Sequence, residues 1–529
     1  MNAFLQRHAD SVTGMISGFD RIRFRGTVRL LANTSGVLSL LSHLSILLKD
    51  FAEFFAGVSE TLKEASLAMA ARAQRPVRYL PSAATCKEEV ALRIAEQDRV
   101  RQGLICVLTA VEPCWSFHVR RDRAAKQLVL EPSLRKCLHL YHYFLDPELG
   151  FCHARVQSWL PFNIHVCVNG REILARQMDR AGIGYTRRDN CFTRIADLPA
   201  AQALLDAQVK MNWSATLQRL CDQAHPARPT LLSGKNGLWE PDYYWSAQET
   251  EWASDVMFKS PSHLSRLYPR LIRHGLIALN SADIMRYLGK RVEPDNRRFT
   301  GEVISDIKQR PEGMRIKHRL NSNSIKMYDK QQSVLRVETT INDPSQFKVY
   351  RRAEGDPKSK LTWRVLRKGV ADFPRRAQVS QSANDRYLEA MAGVETDRAL
   401  GELADPLCRR VPGKSPGQHA RALNPLSGDD AKLLEAVSRG EFTINGFRNR
   451  DIRSILRPLP THANPSNAQE CKRQSAAVTR KLRLLRAHGL IHKVTGTHRY
   501  RVSTKGRQSI TAILAARAAC AAKLLNTAA

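Results

Sequence analysis

The sequence has no CxxC pair, no uninterrupted apolar run of membrane length and no glycine-rich phosphate loop, and each absence removes a class of protein. Its 11 cysteines are scattered from Cys86 to Cys520. A disulfide scaffold or a zinc ribbon needs paired spacing, so reduced and mostly buried thiols are expected. The most apolar stretch, Val37 to Leu48, is interrupted by Ser39, Ser42, His43 and Ser45. A membrane helix needs about 20 predominantly apolar residues, so no span and no membrane partner are expected. The opening MNAFLQRHADSV lacks the apolar core of a secretory signal, which predicts a cytoplasmic location. Asn169-Gly170 and DRAGIGY contain glycines without the spacing that cradles a phosphate. Acidic residues are scarce beside the basic ones: 50 Asp+Glu face 83 Lys+Arg, a formal net charge of +33. Such an imbalance points to a polyanionic partner, of which nucleic acid is the commonest.

What remains is the mixture of a folded chain, with 43% hydrophobic and 25% charged residues over 529 positions. The pattern predicts a multidomain α+β protein with mixed, largely antiparallel sheets. Residues 1–75 open with FDRIRFRGTVRLL, where Ile22 and Phe24 alternate with Arg21, Arg23 and Arg25 as in a half-buried strand. Leu38 to Ala71 then reads as helix, changing pattern near Gly57. Residues 76–225 form an α+β segment. Its strands are expected in GLICVLTAV, SFHVRR, KQLVLE, LHLYHYFLD, FCHARVQSW and FNIHVCV, and REILARQMDRAG is a helix stopped by Gly182. In residues 226–380 a helical stretch from Ala247 to Tyr287 precedes a β-meander of MRIKHRL, SIKMYDK and VLRVETTI. Residues 381–430 read as a linker rich in Pro, Gly, Ser and Asp.

Residues 431–529 carry 19 Lys+Arg against Glu435, Glu441, Asp451 and Glu470, and no acidic residue follows Cys471. Three helices are expected, in AKLLEAVSRG, INGFRNRDIRSILRP and about Ser475 to Ala487. IHKV and HRYRVS follow as strands around Thr495-Gly496-Thr497, and a closing helix begins near Lys505. The phrase LLRAHGLIHKV…HRYRVSTKGR resembles the winged helix-turn-helix of MarR-like repressors. That resemblance implies a recognition helix followed by a wing. On the third helix Val478, Leu482 and Leu485 share one face, and Arg473, Arg480 and Arg483 fall opposite. Those arginines, with Lys493, His498 and Arg499 of the wing, are the expected nucleic-acid contacts, since Arg bonds guanine edges and phosphates.

The segment SIKMYDKQQSVLRVETTIN resembles the tyrosine-bearing hairpin of rolling-circle replication initiators. The resemblance implies a metal-dependent tyrosine nickase or strand transferase, with Tyr328 as nucleophile, Lys330 as electrostatic helper and Glu338 as a ligand of Mg²⁺ or Mn²⁺. Asp20 could supply a second carboxylate. The residues also fit a plain strand and turn, with Arg336 and Glu338 as an ion pair. No His-hydrophobe-His metal motif accompanies the tyrosine. Taken whole, the chain resembles a family of large bacterial proteins sharing FLDPELGF, LPFNIHVCVNGREILARQ, IKMYDK and INGFRNRDIR, a resemblance that implies no activity. The expected function is a nucleic-acid-binding protein, DNA more than RNA, of a mobile or replicating element. The alternative is a non-catalytic winged-helix regulator or an RNA-binding ribonucleoprotein component.

Overall fold

The computed structural model describes residues 3–519 except 83, 226–241, 280, 290–302, 311–312, 354, 357, 393–399, 413–418, 440–441, 443–445 and 457–467. One mixed sheet organises the α+β fold. Its strands are β1 (Val12–Val28), β2 (Val77–Tyr79), β3 (Gly103–Asp122), β4 (Gln127–Asp146), β5 (Gly150–Gln157) and β6 (Ile164–Asn169). After the small hairpin β7 (Tyr185–Arg188) and β8 (Cys191–Ile195), the sheet continues with β9 (Tyr243–Phe258), β10 (Val303–Arg310), β11 (Gly313–Leu320), β12 (Asn323–Lys330) and β13 (Val334–Ile341). The order is β10-β11-β12-β13-β9-β1-β6-β5-β4-β3-β2, and only β2 runs parallel to its neighbour.

The sheet corrects several sequence expectations. It crosses the boundaries placed at 75/76 and 225/226, because β1 pairs with β6 on one side and β9 on the other. The helical stretch expected over Ala247 to Tyr287 begins instead as β9, near the centre of the sheet, and is helical only farther on, at Pro261–Arg273 and Ser281–Tyr287. Ala, Gln and Glu favour helix in isolation, but here pairing on both edges decides. The helix expected over Leu38 to Ala71 is two helices, Thr34–His43 and Phe51–Arg72, and Gly57 lies inside the second. The linker expected from 381 begins as helix Phe373–Met391, whose Ala383, Tyr387, Leu388 and Met391 are buried. Farther along, Leu407 and Leu423 join the C-terminal core. The rest of that stretch, at 393–399 and 413–418, lies outside the described residues.

Other readings hold locally. The meander β11-β12-β13 is present. Helix Gly170–Ala181 starts where Asn169 accepts bonds from the backbone N–H groups of Arg171 and Glu172, and it stops at Gly182 with φ 68°. Among the described residues no helix is long and apolar enough to cross a membrane.

The two sheet faces are covered differently, and this positions the site. One face is apolar along its length. Phe19, Ile22 and Phe24 pack with helices Thr34–His43, Phe51–Arg72 and Trp213–Ala224. Helices Pro261–Arg273 and Phe373–Met391 cover β11 to β13. Among the described residues the opposite face is covered only at its ends. Helices Gly170–Ala181 and Leu198–Val209, with β8, pack over Ile16, Met257 and Val334. Helix Lys87–Gln97 packs over β3 and β4. Between these covers the face is charged.

C-terminal to the sheet, helices Gly428–Val437, Asn449–Leu456 and Ala468–Ala487 precede a two-stranded hairpin, Ile491–Lys493 with Tyr500–Val502, and helix Thr504–Ala518. They enclose their own core. Phe447 forms an isolated bridge to Tyr500 of the hairpin.

Candidate functional site: a carboxylate cluster on a cationic sheet face

The site begins at an irregularity in β1. Phe19 pairs with Trp252 and Ile22 with Thr250, so Asp20 and Arg21 together oppose Glu251. Such a bulge inserts one residue and re-aims side chains. Phe19 and Ile22 thereby both reach the apolar face, and Asp20 turns to the charged one. There it meets Glu251 of β9 and Glu338 of β13, with ligand oxygens of the three carboxylates within 4.8 Å of one another. Neighbouring strands β1, β9 and β13 thus contribute one carboxylate each.

Two buried cations hold the cluster. Lys326 Nζ donates to Glu338 at 2.6 Å and to Glu251 at 2.8 Å. Arg336 donates to Asp20 Oδ2 at 2.7 Å and grips Asp255 at 2.6 and 3.0 Å. Arg171 supplies Asp255 with a second cation at 2.9 Å, balancing two buried arginines against two aspartates. Asn169 and Asn190 donate to Asp20 as well.

The carboxylates differ in proton affinity. Burial would raise Glu338, but Lys326 and Arg336 outweigh it and hold its carboxyl below the ordinary range. Glu251 is pushed up to about 7, by burial first and then by the charge of Glu338. Lys326 is held above its ordinary value, since the charges of Glu338 and Glu251 outweigh the opposing effect of burial.

Around the cluster most of the charged side chains described on this face are cations, of which Arg23 pairs with Glu249 at 3.7 Å and Arg315 with Asp306 at 3.4 Å. The register sets Arg23 beside Cys167 and His153, and Arg25 beside His165 and Arg155. On the other flank Lys317 lies across from Lys326, and Arg315 from Tyr328. These cations crowd one another. Burial and then Arg155 lower the Arg25 pKa, and burial followed by Lys326, Arg315 and Arg319 lowers that of Lys317. Burial, with the nearby arginines, pushes His153 and His165 down to about 3, so both are neutral at physiological pH. Like charges held this close are relieved by an anion.

The residues singled out in the sequence are only partly brought together. Asp20 and Glu338 meet as expected. Tyr328 does adjoin them, but it is 9% exposed and its hydroxyl donates to Glu338 at 2.7 Å. Burial, and then the charges of Glu338 and Glu251, raise its pKa well above that of a free phenol, which opposes the phenolate a nucleophile needs. Lys330 does not assist it. That ammonium turns to Asn190 Oδ1 and Asp189, and Lys326 is the cation at the cluster. Arg336 pairs with the two aspartates rather than with Glu338.

At the C-terminus, Val478, Leu482 and Leu485 are buried while Arg480 and Arg483 are exposed. Arg473 is exposed too, paired with Glu470 at 3.0 Å. Lys493 and His498 project from the hairpin, but Arg499 does not. Its guanidinium lies 4.3 Å from the Tyr350 ring centroid, a cation–π contact that docks the hairpin and removes Arg499 from the expected contact set.

Sequence reasoning missed Glu251, Asp255, Arg171 and Lys326. A signal existed in QETEWASDV, where Glu249, Glu251 and Asp255 recur with period two. Compared with known proteins, the chain matches no family model, no curated protein and no solved structure.

Oxygen-only donors suit a hard divalent cation such as Mg²⁺ or Mn²⁺. Glu251 must lose its proton to become a ligand, so Mn²⁺ affinity should strengthen as pH rises through about 7. Without metal the sign reverses. The folded state retains a proton that the unfolded chain releases, so this group's contribution to stability falls as pH climbs from the ordinary carboxylate range to about 7. Calorimetric Mn²⁺ titrations at pH values on either side of that midpoint check this, and equal affinities would contradict it.

Proposed function

We propose that the protein binds nucleic acid and cleaves or transfers its phosphodiester bonds with a divalent metal held by Asp20, Glu251 and Glu338. The observation that carries this reading is the placement of the three carboxylates, from three adjacent strands, on a sheet face that also carries Arg23, Arg25, Arg155, Arg315 and Lys317. Cations hold the phosphate backbone, and carboxylates hold the metal that polarises the scissile phosphate. With a metal held there, Lys326, now bonded to Glu251 and Glu338, would be released from them to serve as a cation for the phosphate. Tyr328 keeps Glu338 oriented through its hydroxyl, and water is the nucleophile.

The C-terminal unit is read as a winged helix-turn-helix. The three helices, the hairpin, its bridge to Phe447 and the closing helix follow that order. Helix Ala468–Ala487 presents Arg480 and Arg483 to duplex DNA, with Lys493 and His498 reaching the backbone from the wing. A second reading, binding without cleavage, is favoured by the burial of Tyr328 and by the lysine that already neutralises two of the carboxylates.

The two readings part in one assay. The full chain is incubated with single-stranded and duplex oligonucleotides in Mg²⁺ or Mn²⁺, and products are resolved on denaturing gels. Metal-dependent cleavage without a covalent protein adduct is expected, and Tyr328→Phe should retain it. An adduct lost in Tyr328→Phe would restore the tyrosine as nucleophile. Binding with no cleavage under either metal would leave the second reading.

A further inference from the structure

The strands β3 and β4 outrun the sheet. β5 follows β4 only from Asp146 back to His139, and β2 follows β3 only over Val107 to Thr109. Beyond that point residues 111–122 and 127–138 pair as strands with no other strand among the described residues. At ~3.3 Å per residue this is a two-stranded ribbon about 40 Å long. The ribbon is anchored along its middle and outer part, beyond Trp115 and Leu134, since Phe117 and Leu130 are buried in the main core and Ser116 donates to the Leu160 carbonyl at 2.6 Å.

On this ribbon Leu134 and Trp115 are 71% and 62% exposed, more than any other large hydrophobic side chain among the described residues. They are also direct cross-strand partners. Two apolar side chains of this size, side by side in water, mark a contact surface more often than chance exposure does. Their setting is cationic. Of the three carboxylates on the ribbon, Glu131 pairs with Arg120 and Glu112 with Lys87 and Arg155, while Asp122 caps the tip turn by accepting from the Ala124 and Ala125 N–H groups. Arg121, Arg123, Lys126, Arg135 and Lys136 have no ion-pair partner among the described residues. Lys136 shares the side-chain face of Leu134, two residues away on β4, whereas Arg121 lies nearer the tip of β3, beyond the buried Phe117.

We propose that the β3–β4 ribbon is a second nucleic-acid contact, in which Trp115, backed by Leu134, stacks on an unpaired base and the ribbon cations grip the flanking phosphates. An exposed aromatic between cations is the arrangement that holds single strands with little sequence preference, because every base has a stacking face. The inference rests on the nucleic-acid reading above but is independent of metal chemistry. It gives the protein a strand-holding arm distinct from both the carboxylate cluster and the C-terminal helices.

The test uses the full chain and fluorescence anisotropy with a labelled single-stranded oligonucleotide and its duplex, without metal. Trp115→Ala should weaken single-strand binding by roughly 5- to 100-fold and duplex binding less. Arg121, Arg123 and Lys126 changed together to Ala should flatten the plot of log affinity against log salt by about 2. Both sets are solvent-facing, so circular dichroism should match the parent. If the parent binds while both variants bind equally well with the same salt slope, the ribbon proposal fails and the sheet-face reading stands. If the parent binds no oligonucleotide, both fail. Co-sedimentation with phosphatidylcholine–phosphatidylserine vesicles is the remaining arm. Binding there that is lost in Trp115→Ala, with oligonucleotide affinity unchanged, would overturn the proposal in favour of a lipid surface.

Discussion

Arg336→Met should destabilise the protein by about 3–5 kcal/mol, the cost of leaving buried charges without their partner. Arg336 is fully buried and, among the described residues, is the one cation that bonds both Asp20 and Asp255. Methionine fills much of the space but supplies no donor, so among the described residues Asp20 keeps the neutral amides of Asn169 and Asn190 and Asp255 keeps Arg171. Urea denaturation of the two proteins measures the difference. A loss below about 1 kcal/mol would mean that solvent or a rearranged neighbour replaces the guanidinium, since that is the scale of an exposed ion pair. The same variant should weaken Mn²⁺ binding, because Asp20 is no longer held toward Glu251 and Glu338.

The other large effect is expected at Glu338. Glu338→Gln keeps the shape and can still accept from Tyr328, but it removes the charge shared by Lys326 and the metal. Loss of a metal ligand should cost about 3 kcal/mol of transition-state stabilisation, roughly 100-fold in rate. Thermal stabilisation by Mn²⁺ should disappear in the same variant, a readout that does not depend on finding the substrate. A variant that binds Mn²⁺ normally would remove Glu338 from the ligand set. One that merely unfolds more easily, with metal-dependent cleavage intact, would make the cluster a structural ion-pair network.

How much of this was readable in advance varies by element. β11, β12 and β13 were legible because turn signals bracket short strands rich in β-branched and long apolar residues. Helix Gly170–Ala181 was legible because Asn169 and Gly182 mark both ends chemically. The C-terminal core was legible from the spacing of Val478, Leu482 and Leu485, which local helical periodicity alone produces. β9 was not. Its Ala247, Gln248, Glu249 and Glu251 suit helix, and they become strand because β1 and β13 complete the backbone bonds of β9 and Lys326 and Arg336 neutralise Glu251 and Asp255.

By itself the sequence determined the cationic character, the mixed α+β composition and the sequence positions of Asp20, Tyr328 and Glu338. Charge and local periodicity are properties of a chain before it folds. Only the tertiary structure decided that three apparent segments share one sheet and that a bulge turns Asp20 toward Glu251. It also placed Lys326 rather than Lys330 at the cluster, and turned Arg499 inward. These outcomes depend on contacts between residues separated by up to hundreds of positions. Which long-range partner a strand or a charge finds is set by the packing of the whole sheet, and no local pattern records it.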